Sequence, residues 1–237
     1  MRGFQLKADL PIALPLLTRL RSHLGLKVLL FFTLPAVTTA AYLIVQRAVF
    51  FPAHDVPLVW LDRSIPFQPR WAWVYLSLYL LNPIGPLLAR SRADLLSYTR
   101  GILSFFAAGL VCFVLFPVAG PRPATAGGYW LYEGLIHIDR AYNALPSLHA
   151  ACAAFAVFFA AHASADTTRR VLRKLLLRLA WLWVGLILYS TIATRQHFFL
   201  DLPPGLLLAW LAQRLFLRRE ENPAAAEQAG VLSGAAT

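Results

Sequence analysis

The chain has 237 residues, of which 59% are hydrophobic and 14% are charged, and its formal net charge is +11. The charged fraction lies far below the roughly 25% that is usual for soluble domains. This composition excludes an ordinary soluble nucleic-acid-binding protein, despite the basic charge, and predicts an all-α integral membrane protein.

Six apolar stretches, mostly near 20 residues long, are predicted to cross the membrane: 28–50, 71–89, 98–118, 147–163, 175–193 and 200–217. These stretches lack the alternating pattern of a membrane β-barrel. We therefore expect a bundle of six transmembrane helices that forms one catalytic domain over residues 28–219. A cytoplasmic or interfacial segment at 1–27 precedes it, and a disordered cytoplasmic tail at 220–237 follows it.

Basic residues concentrate on one side of the predicted bundle. Sixteen of the 22 Lys and Arg residues precede the first span, lie in the loops after the second and fourth spans, or close the sixth. The positive-inside rule places this side, with both termini, in the cytoplasm. We expect an integral protein of a bacterial inner membrane, in contact with bilayer lipid; the sequence carries no signal of its oligomeric state.

Two outer loops, at about 51–70 and 119–146, then face the opposite compartment. In the first loop, Asp62 is expected to cap a short turn or to face the active site. In the second, residues 132–142 are predicted to form a short surface helix, and Asp139 is expected to be solvated. Loops of this length often form lids or binding loops.

The string Pro146-Ser147-Leu148-His149 stands at the start of the fourth predicted span. Because proline is favoured in the first turn of a helix, we expect the fourth span to begin within this string, with free N–H groups that bind phosphate. The Ser147 hydroxyl would add a donor, and His149 is placed to protonate a leaving oxygen. Taken alone, the string also suits an interfacial helix cap with a hydrated histidine.

His197 and Asp201 are four residues apart and would share one face of a helix. A carboxylate bonded to one ring nitrogen fixes the histidine tautomer and makes the other nitrogen the better nucleophile. Because Pro203 and Pro204 follow one residue later, Asp201 is alternatively the N-cap of the sixth span, with the pair bridged by a turn. The alternative without chemistry is a polar pair that anchors the span at the interface.

Two arginines of the outer face adjoin these motifs and are candidates for binding phosphate, since a planar guanidinium matches two phosphate oxygens. Arg122 is fixed between Pro121 and Pro123. Arg195 is two residues from His197, so a regular helix would direct it elsewhere. For Arg195, anchoring to lipid headgroups is the alternative.

The segments 146–149 and 190–201 resemble the second and third signatures of the type 2 phosphatidic acid phosphatase superfamily. The resemblance covers roughly residues 55–210. It implies a six-span helical bundle and a phosphohistidine mechanism that needs neither metal nor cofactor. The roles it implies are nucleophile for His197, partner carboxylate for Asp201, general acid for His149 and phosphate ligand for Ser147.

The chain departs from that superfamily's signatures at two positions. Leu115 stands where the first signature has a lysine ahead of Arg122-Pro123, and Thr191 stands where the third has an arginine. The branch similar to inositol phosphorylceramide synthase also lacks that arginine and has the pattern His-x-x-x-Asp-x-x-x-Gly, which ends here at Gly205. The segment 61–77 resembles that branch as well.

The sequence thus predicts a membrane phosphatase or phosphotransferase acting on a lipid phosphate or lipid-linked substrate at the outer, periplasmic leaflet. One alternative is a headgroup transferase, similar to phosphorylceramide synthase, that uses an alcohol acceptor. Another is a metal site formed by His149, His197 and Asp201, for which no fourth ligand is apparent. A non-enzymatic channel or transporter is the last, but the charged groups cluster at one interface rather than at mid-membrane.

Overall fold

The computed structural model describes residues 13–217, apart from 49, 124, 166 and 168. The predicted tail at 220–237 and the first twelve residues of the predicted N-terminal segment lie outside the described residues. Within this part of the chain the structure is mostly helical, so the prediction of a helical fold is confirmed.

The α-helices are α1 Ala13–Arg21, α2 Leu24–Val45, α3 Trp60–Ser64, α4 Ala72–Leu76, α5 Leu78–Leu81, α6 Ile84–Leu88, α7 Arg92–Leu115, α8 Trp130–Ile138, α9 Leu148–Ala163, α10 Arg170–Ala193 and α11 Leu202–Phe216. Short 3-10 helices form at Pro69–Trp71 and Phe199–Asp201. Two short strands, β1 His54–Asp55 and β2 Val118–Ala119, pair in parallel and tie the two outer loops together.

Three helices, α2, α7 and α10, are long and apolar enough to cross a membrane. Helix α9 is also apolar but has 16 residues, and α11 has 15. The chain therefore has the helices of a membrane protein, whereas the number of six spans stays a prediction.

The predicted second span, 71–89, is not one helix. It is divided into α4, α5 and α6, with breaks at Ser77 and at Asn82-Pro83. Pro83 has no amide hydrogen to continue the hydrogen-bond ladder, so the regular helical hydrogen bonds are interrupted there. At the first break, the Ser77 hydroxyl donates to the carbonyl of Val74 at 2.6 Å. The broken segment brings α4 to the motifs.

Helix α9 is the centre of the bundle, in contact with α5, α6, α7, α10 and α11. Its packed face is rich in small side chains, which let neighbouring backbones approach closely. Buried alanines on it include Ala150, Ala151, Ala153, Ala154 and Ala156. The motif that contains His149 therefore lies at the start of the most enclosed of the described helices.

The crossing of α9 and α11 depends on Gly205. A Cβ atom at this position would overlap the backbone carbonyl of Ser147. Because glycine has no side chain, α11 can lie against the first turn of α9. This contact brings the start of α11, which follows His197, beside the start of α9, which carries His149.

Basic residues occupy the opposite end of the bundle. The buried Lys27 ammonium donates to the carbonyls of Leu87 at 3.1 Å and Ala89 at 2.9 Å. The Arg173 guanidinium donates to the carbonyl of Ala161 at 2.8 Å. Cations at helix C-termini compensate the partial negative charge of unpaired carbonyls. These side chains fasten the end that the sequence predicts to be cytoplasmic.

Candidate active site

The two histidine motifs meet at one end of the bundle, where α9 and α11 begin and α10 ends. His149 lies in the first turn of α9, and His197 lies between the end of α10 and the 3-10 helix Phe199–Asp201. Their ring centroids are 5.6 Å apart. Two residues separated by 48 positions in the chain are thus close enough to act on one substrate group.

The His197 ring is held through one nitrogen. Its Nδ1 lies 3.0 Å from the carbonyl oxygen of Ala144 and 3.3 Å from Oδ2 of Asp201. Both partners are acceptors, so they favour the tautomer with the proton on Nδ1. Nε2 then keeps its lone pair, as a nitrogen nucleophile requires.

Asp201 is fully buried, and its carboxylate also organises the backbone. Oδ2 accepts a hydrogen bond from the N–H of Phe198 at 2.9 Å, while Oδ1 has no partner among the described residues. The Asp201 side chain thus has two functions: it caps the 3-10 turn and it orients the ring of His197. Of the two geometries open to the sequence, the structure has the turn rather than the regular helix.

Ser147 is the N-cap of α9. Its Oγ accepts from the N–H of Ala150 at 3.2 Å, and its own N–H donates to the carbonyl of Asp201 at 3.0 Å. The helix begins at Leu148, one residue after the predicted start of the fourth span, and Ser147 rather than Pro146 caps it, because a serine hydroxyl accepts from the first free N–H groups. The bond to Asp201 joins the two motifs through their backbones.

His149 is held by a residue that the sequence did not indicate. Tyr75, from α4, places its hydroxyl 3.2 Å from Nδ1 of His149. The two rings stack with centroids 4.2 Å apart. Nε2 of His149 is buried and has no hydrogen-bond partner among the described residues. Nothing in the spacing of the sequence predicts this contact, because Tyr75 lies 74 positions away inside an apolar stretch.

Arg122 lies in the same pocket as His197. Its guanidinium is 3.5 Å from the carboxylate of Asp139, which also accepts from the Tyr42 hydroxyl at 2.6 Å. Nε of Arg122 is buried without a partner among the described residues. The expectation that Asp139 is solvated is wrong, since the residue is half-buried and orients Arg122.

Two amide side chains complete the pocket wall around His197. Asn143 and Gln196 are buried, with 6% and 4% of their surface exposed. Nδ2 of Asn143 has no partner in the described part of the chain. Burial raises the pKa of the nearby Tyr132, so its hydroxyl stays protonated beside Gln196. Sequence reasoning missed both amides, although Gln196 directly precedes His197.

Arg195 does not line this pocket. Its backbone has φ 54°, in the left-handed region, just after the end of α10. The guanidinium donates to the carbonyls of Asp62 at 2.6 Å and Ile65 at 2.9 Å. The arginine that the sequence put forward for phosphate or headgroup binding therefore holds α3, in the first outer loop.

Asp62 makes the reciprocal contact from α3. It is fully buried, and its Oδ2 accepts from the N–H of Val59 at 3.0 Å, which caps α3 as the sequence suggested. Its Oδ1 accepts from the N–H of Phe199 at 2.7 Å. Asp62, Arg195 and Phe199 form what we call the outer-loop clamp. It holds the backbone on both sides of His197.

Metal binding by these residues was the other chemistry open to the sequence. In the part of the chain that the structure describes, no group of three or more His, Cys, Asp or Glu side chains is arranged to hold a metal ion. Nδ1 of His197 and Nδ1 of His149 instead contact protein oxygen atoms.

No curated protein matches the chain. The sequence profile of the PAP2 superfamily, however, matches residues 40–215, a range that includes both histidines, the outer-loop clamp and most of the helical bundle. Because the match covers well over half of the chain and all of the site described above, this protein belongs to the PAP2 superfamily.

Proposed function

We propose that the protein is a membrane enzyme that removes or transfers the phosphate of a lipid-linked substrate through a phosphohistidine on His197. Membership of the PAP2 superfamily indicates a phosphatase-type enzyme in general. Three long apolar helices suit a substrate that resides in the bilayer. The proposal places the chemistry at the outer leaflet, on the side opposite the basic end of the bundle.

The observation that carries the proposal is the arrangement of acceptors around His197. Ala144 and Asp201 both contact Nδ1, which leaves Nε2 as the nucleophile. Attack on phosphorus makes the ring cationic, and the carboxylate of Asp201 stabilises that charge. Burial of both groups strengthens the interaction, because there is little water to screen it.

His149 is proposed to move the proton. As Nε2 of His197 bonds to phosphorus, the bond from phosphorus to the leaving oxygen breaks, and Nε2–H of His149 protonates that oxygen. In the second step, Nε2 of His149 takes a proton from water or an alcohol. The oxygen of that molecule bonds to phosphorus, the nitrogen–phosphorus bond breaks, and His197 is released.

The phosphate oxygens are proposed to bind Arg122, Ser147 and the amides of Asn143 and Gln196. Arg122, Asn143 and Gln196 line the pocket of His197, and each has a buried nitrogen without a partner among the described residues. Ser147 is buried at the start of α9. Oriented donors stabilise the charge that develops in phosphoryl transfer. Arg195 is assigned to the outer-loop clamp instead, because its guanidinium is bonded to two backbone carbonyls.

A headgroup transferase similar to phosphorylceramide synthase is the second candidate. A cleft of about 570 Å³ adjoins the pocket and shares Arg122, Asp139 and Arg140 with it. This cleft has room for the polar end of an alcohol acceptor, which would replace water in the second step.

A substrate panel tests the proposal. Purified protein in detergent is incubated with several lipid phosphates and one phosphodiester lipid, with and without chelator and with and without an added lipid alcohol. We expect phosphate release that persists in chelator and is absent in His197→Ala. A phosphorylated alcohol formed in place of free phosphate would favour the transferase. Absence of release and transfer from every substrate would refute both.

A further inference from the structure

The two site histidines have chemically different partners at Nδ1. His197 contacts a carbonyl and a carboxylate, which only accept hydrogen bonds. His149 contacts the hydroxyl of Tyr75, which can donate or accept. The difference suits two different functions, because the partner of a histidine decides where its proton sits and how firmly it is held.

The hydroxyl of Tyr75 can hold the His149 ring in each of its protonation states. When the ring is cationic, or is neutral with its proton on Nδ1, Nδ1–H donates to the hydroxyl oxygen. When the ring is neutral with the proton on Nε2, the hydroxyl donates to Nδ1. The ring therefore keeps its orientation while the proton on Nε2 leaves and returns.

The Tyr75 ring adds a second constraint. It stacks on His149 with an angle of 29° between the planes, and Tyr75 itself is 1% exposed. A buried aromatic side chain has little freedom to move. The hydrogen bond at Nδ1 and the stacked Tyr75 ring thus both hold the His149 ring in place. Its Nε2 has no partner among the described residues.

A neutral hydroxyl also suits an acid that must release its proton. A carboxylate at Nδ1, such as Asp201 provides for His197, stabilises the cationic ring and so retains the proton. Different partners give two nearby titratable groups different functions in one site. The proton on Nε2 of His149 is free to pass to the leaving oxygen.

We propose that Tyr75 is a positioning residue that holds His149 as the general acid and base of the reaction. The inference rests on the proposed function of His149. Tyr75 itself forms and breaks no covalent bond in the reaction. Its phenolic proton stays on its oxygen, and its hydrogen bond to Nδ1 of His149 persists through both steps.

Tyr75→Phe tests the inference, because it keeps the stacked ring and removes only the hydroxyl. Two long-chain phosphate esters are compared in single turnover: an alkyl ester, whose leaving oxygen needs a proton, and a nitrophenyl ester, whose leaving group departs without one. Release of the alcohol in the first step should slow about tenfold or more for the alkyl ester, within the range attributed to general acid catalysis. The nitrophenyl ester should react at nearly the wild-type rate.

Two further variants complete the experiment. Tyr98→Phe is the matched control, since Tyr98 is also buried but donates to the carbonyl of Asn82, away from the site. It should leave both rates unchanged. His149→Ala should slow the alkyl ester more than Tyr75→Phe does and should again spare the nitrophenyl ester.

The outcomes separate this inference from the proposed function. If Tyr75→Phe slows both esters equally, or slows neither, while wild-type protein turns them over, then the positioning function is refuted and the enzyme assignment stands. If wild-type protein cleaves neither ester, the proposed function fails and this inference fails with it. An unchanged melting temperature in Tyr75→Phe shows that a selective loss is not caused by unfolding.

Discussion

At the scale of single residues, Asp201 combines two tasks in one carboxylate. Oδ2 holds Nδ1 of His197 and also caps the N–H of Phe198. Asp201→Asn keeps an oxygen that can accept from Phe198 but removes the negative charge beside the ring. Activity should fall by roughly 10³- to 10⁴-fold, the scale seen where an aspartate orients a catalytic histidine.

The measurement for Asp201→Asn is kcat on a lipid phosphate, together with the melting temperature in detergent. Asp55→Asn is a suitable control, because Asp55 is an exposed aspartate of the same end of the molecule. It should behave as wild type. A wild-type rate in Asp201→Asn would reduce the carboxylate to a structural cap.

The two arginines near the site are expected to respond differently. Arg122→Ala removes a proposed phosphate ligand. The inhibition constant of vanadate should therefore rise by about 10- to 100-fold, the change expected from the loss of one charge-assisted hydrogen bond. Arg195→Ala releases the outer-loop clamp, so kcat should fall while vanadate still binds the remaining ligands. Inhibition constants and kcat are measured for both.

Arg63→Ala provides the control for these variants, since Arg63 is an exposed arginine of α3. It should change neither kcat nor the inhibition constant of vanadate. If Arg195→Ala loses vanadate inhibition and Arg122→Ala does not, the assignments of the two arginines must be exchanged.

At the scale of helices, the approach of α11 to α9 decides whether the motifs meet. Gly205→Ala would place a methyl group against the carbonyl of Ser147. Overpacking of this kind costs about 1–3 kcal/mol. We expect a lower melting temperature and a loss of activity, because the first turn of α9 carries His149 and the segment with His197 and Asp201 leads directly into α11.

Gly185→Ala is the matched control, since a Cβ at Gly185 in α10 would meet no atom within 4 Å. Thermal unfolding and activity are measured for both variants. Equal stability and activity in Gly205→Ala and Gly185→Ala would contradict the importance of the contact between α9 and α11.

The helices also mark where sequence reasoning succeeds. The apolar stretches located α2, α7, α9 and α10, because a long apolar run has no other stable structure in lipid. They did not predict the breaks within 71–89, although Pro83 and Pro86 were visible, because hydropathy does not detect the hydrogen bonds that proline removes. Tyr75, which contacts His149, lies in the first helix of this broken segment.

Within the site, too, local sequence patterns predict some contacts and not others. The i,i+4 spacing of His197 and Asp201 predicted their contact, since residues at this spacing are close in a helix and here also in a turn. The contact of Asp62 with Phe199 joins residues 137 positions apart. It depends on how the first outer loop folds over the bundle, and local sequence patterns carry no information about that.

For the whole molecule, the distribution of basic residues predicts which end faces the cytoplasm. The site lies at the end of the bundle opposite Lys27 and Arg173, and the positive-inside rule places those residues in the cytoplasm. In a protein with Cys112 and Cys152 replaced, Thr125→Cys should react with an impermeant thiol reagent in intact spheroplasts. Arg169→Cys should react only after the membrane is opened.

Both test positions are exposed in the structure, so the reagent can reach either one when it is on the correct side. Labelling of Arg169→Cys from outside, with Thr125→Cys protected, would invert the topology. The substrate would then be drawn from the cytoplasmic leaflet.

In the proposed mechanism, His197 carries the phosphate during turnover. His149→Ala should accumulate the intermediate from the nitrophenyl ester, since formation of the intermediate then needs no acid whereas its breakdown lacks a base. The reaction is quenched in alkali, because phosphohistidine is acid-labile, and the digested protein is analysed by mass spectrometry. We expect phosphate on His197 and none in a variant that also carries His197→Ala. Full turnover by His197→Ala, or phosphate on another residue, would contradict the mechanism.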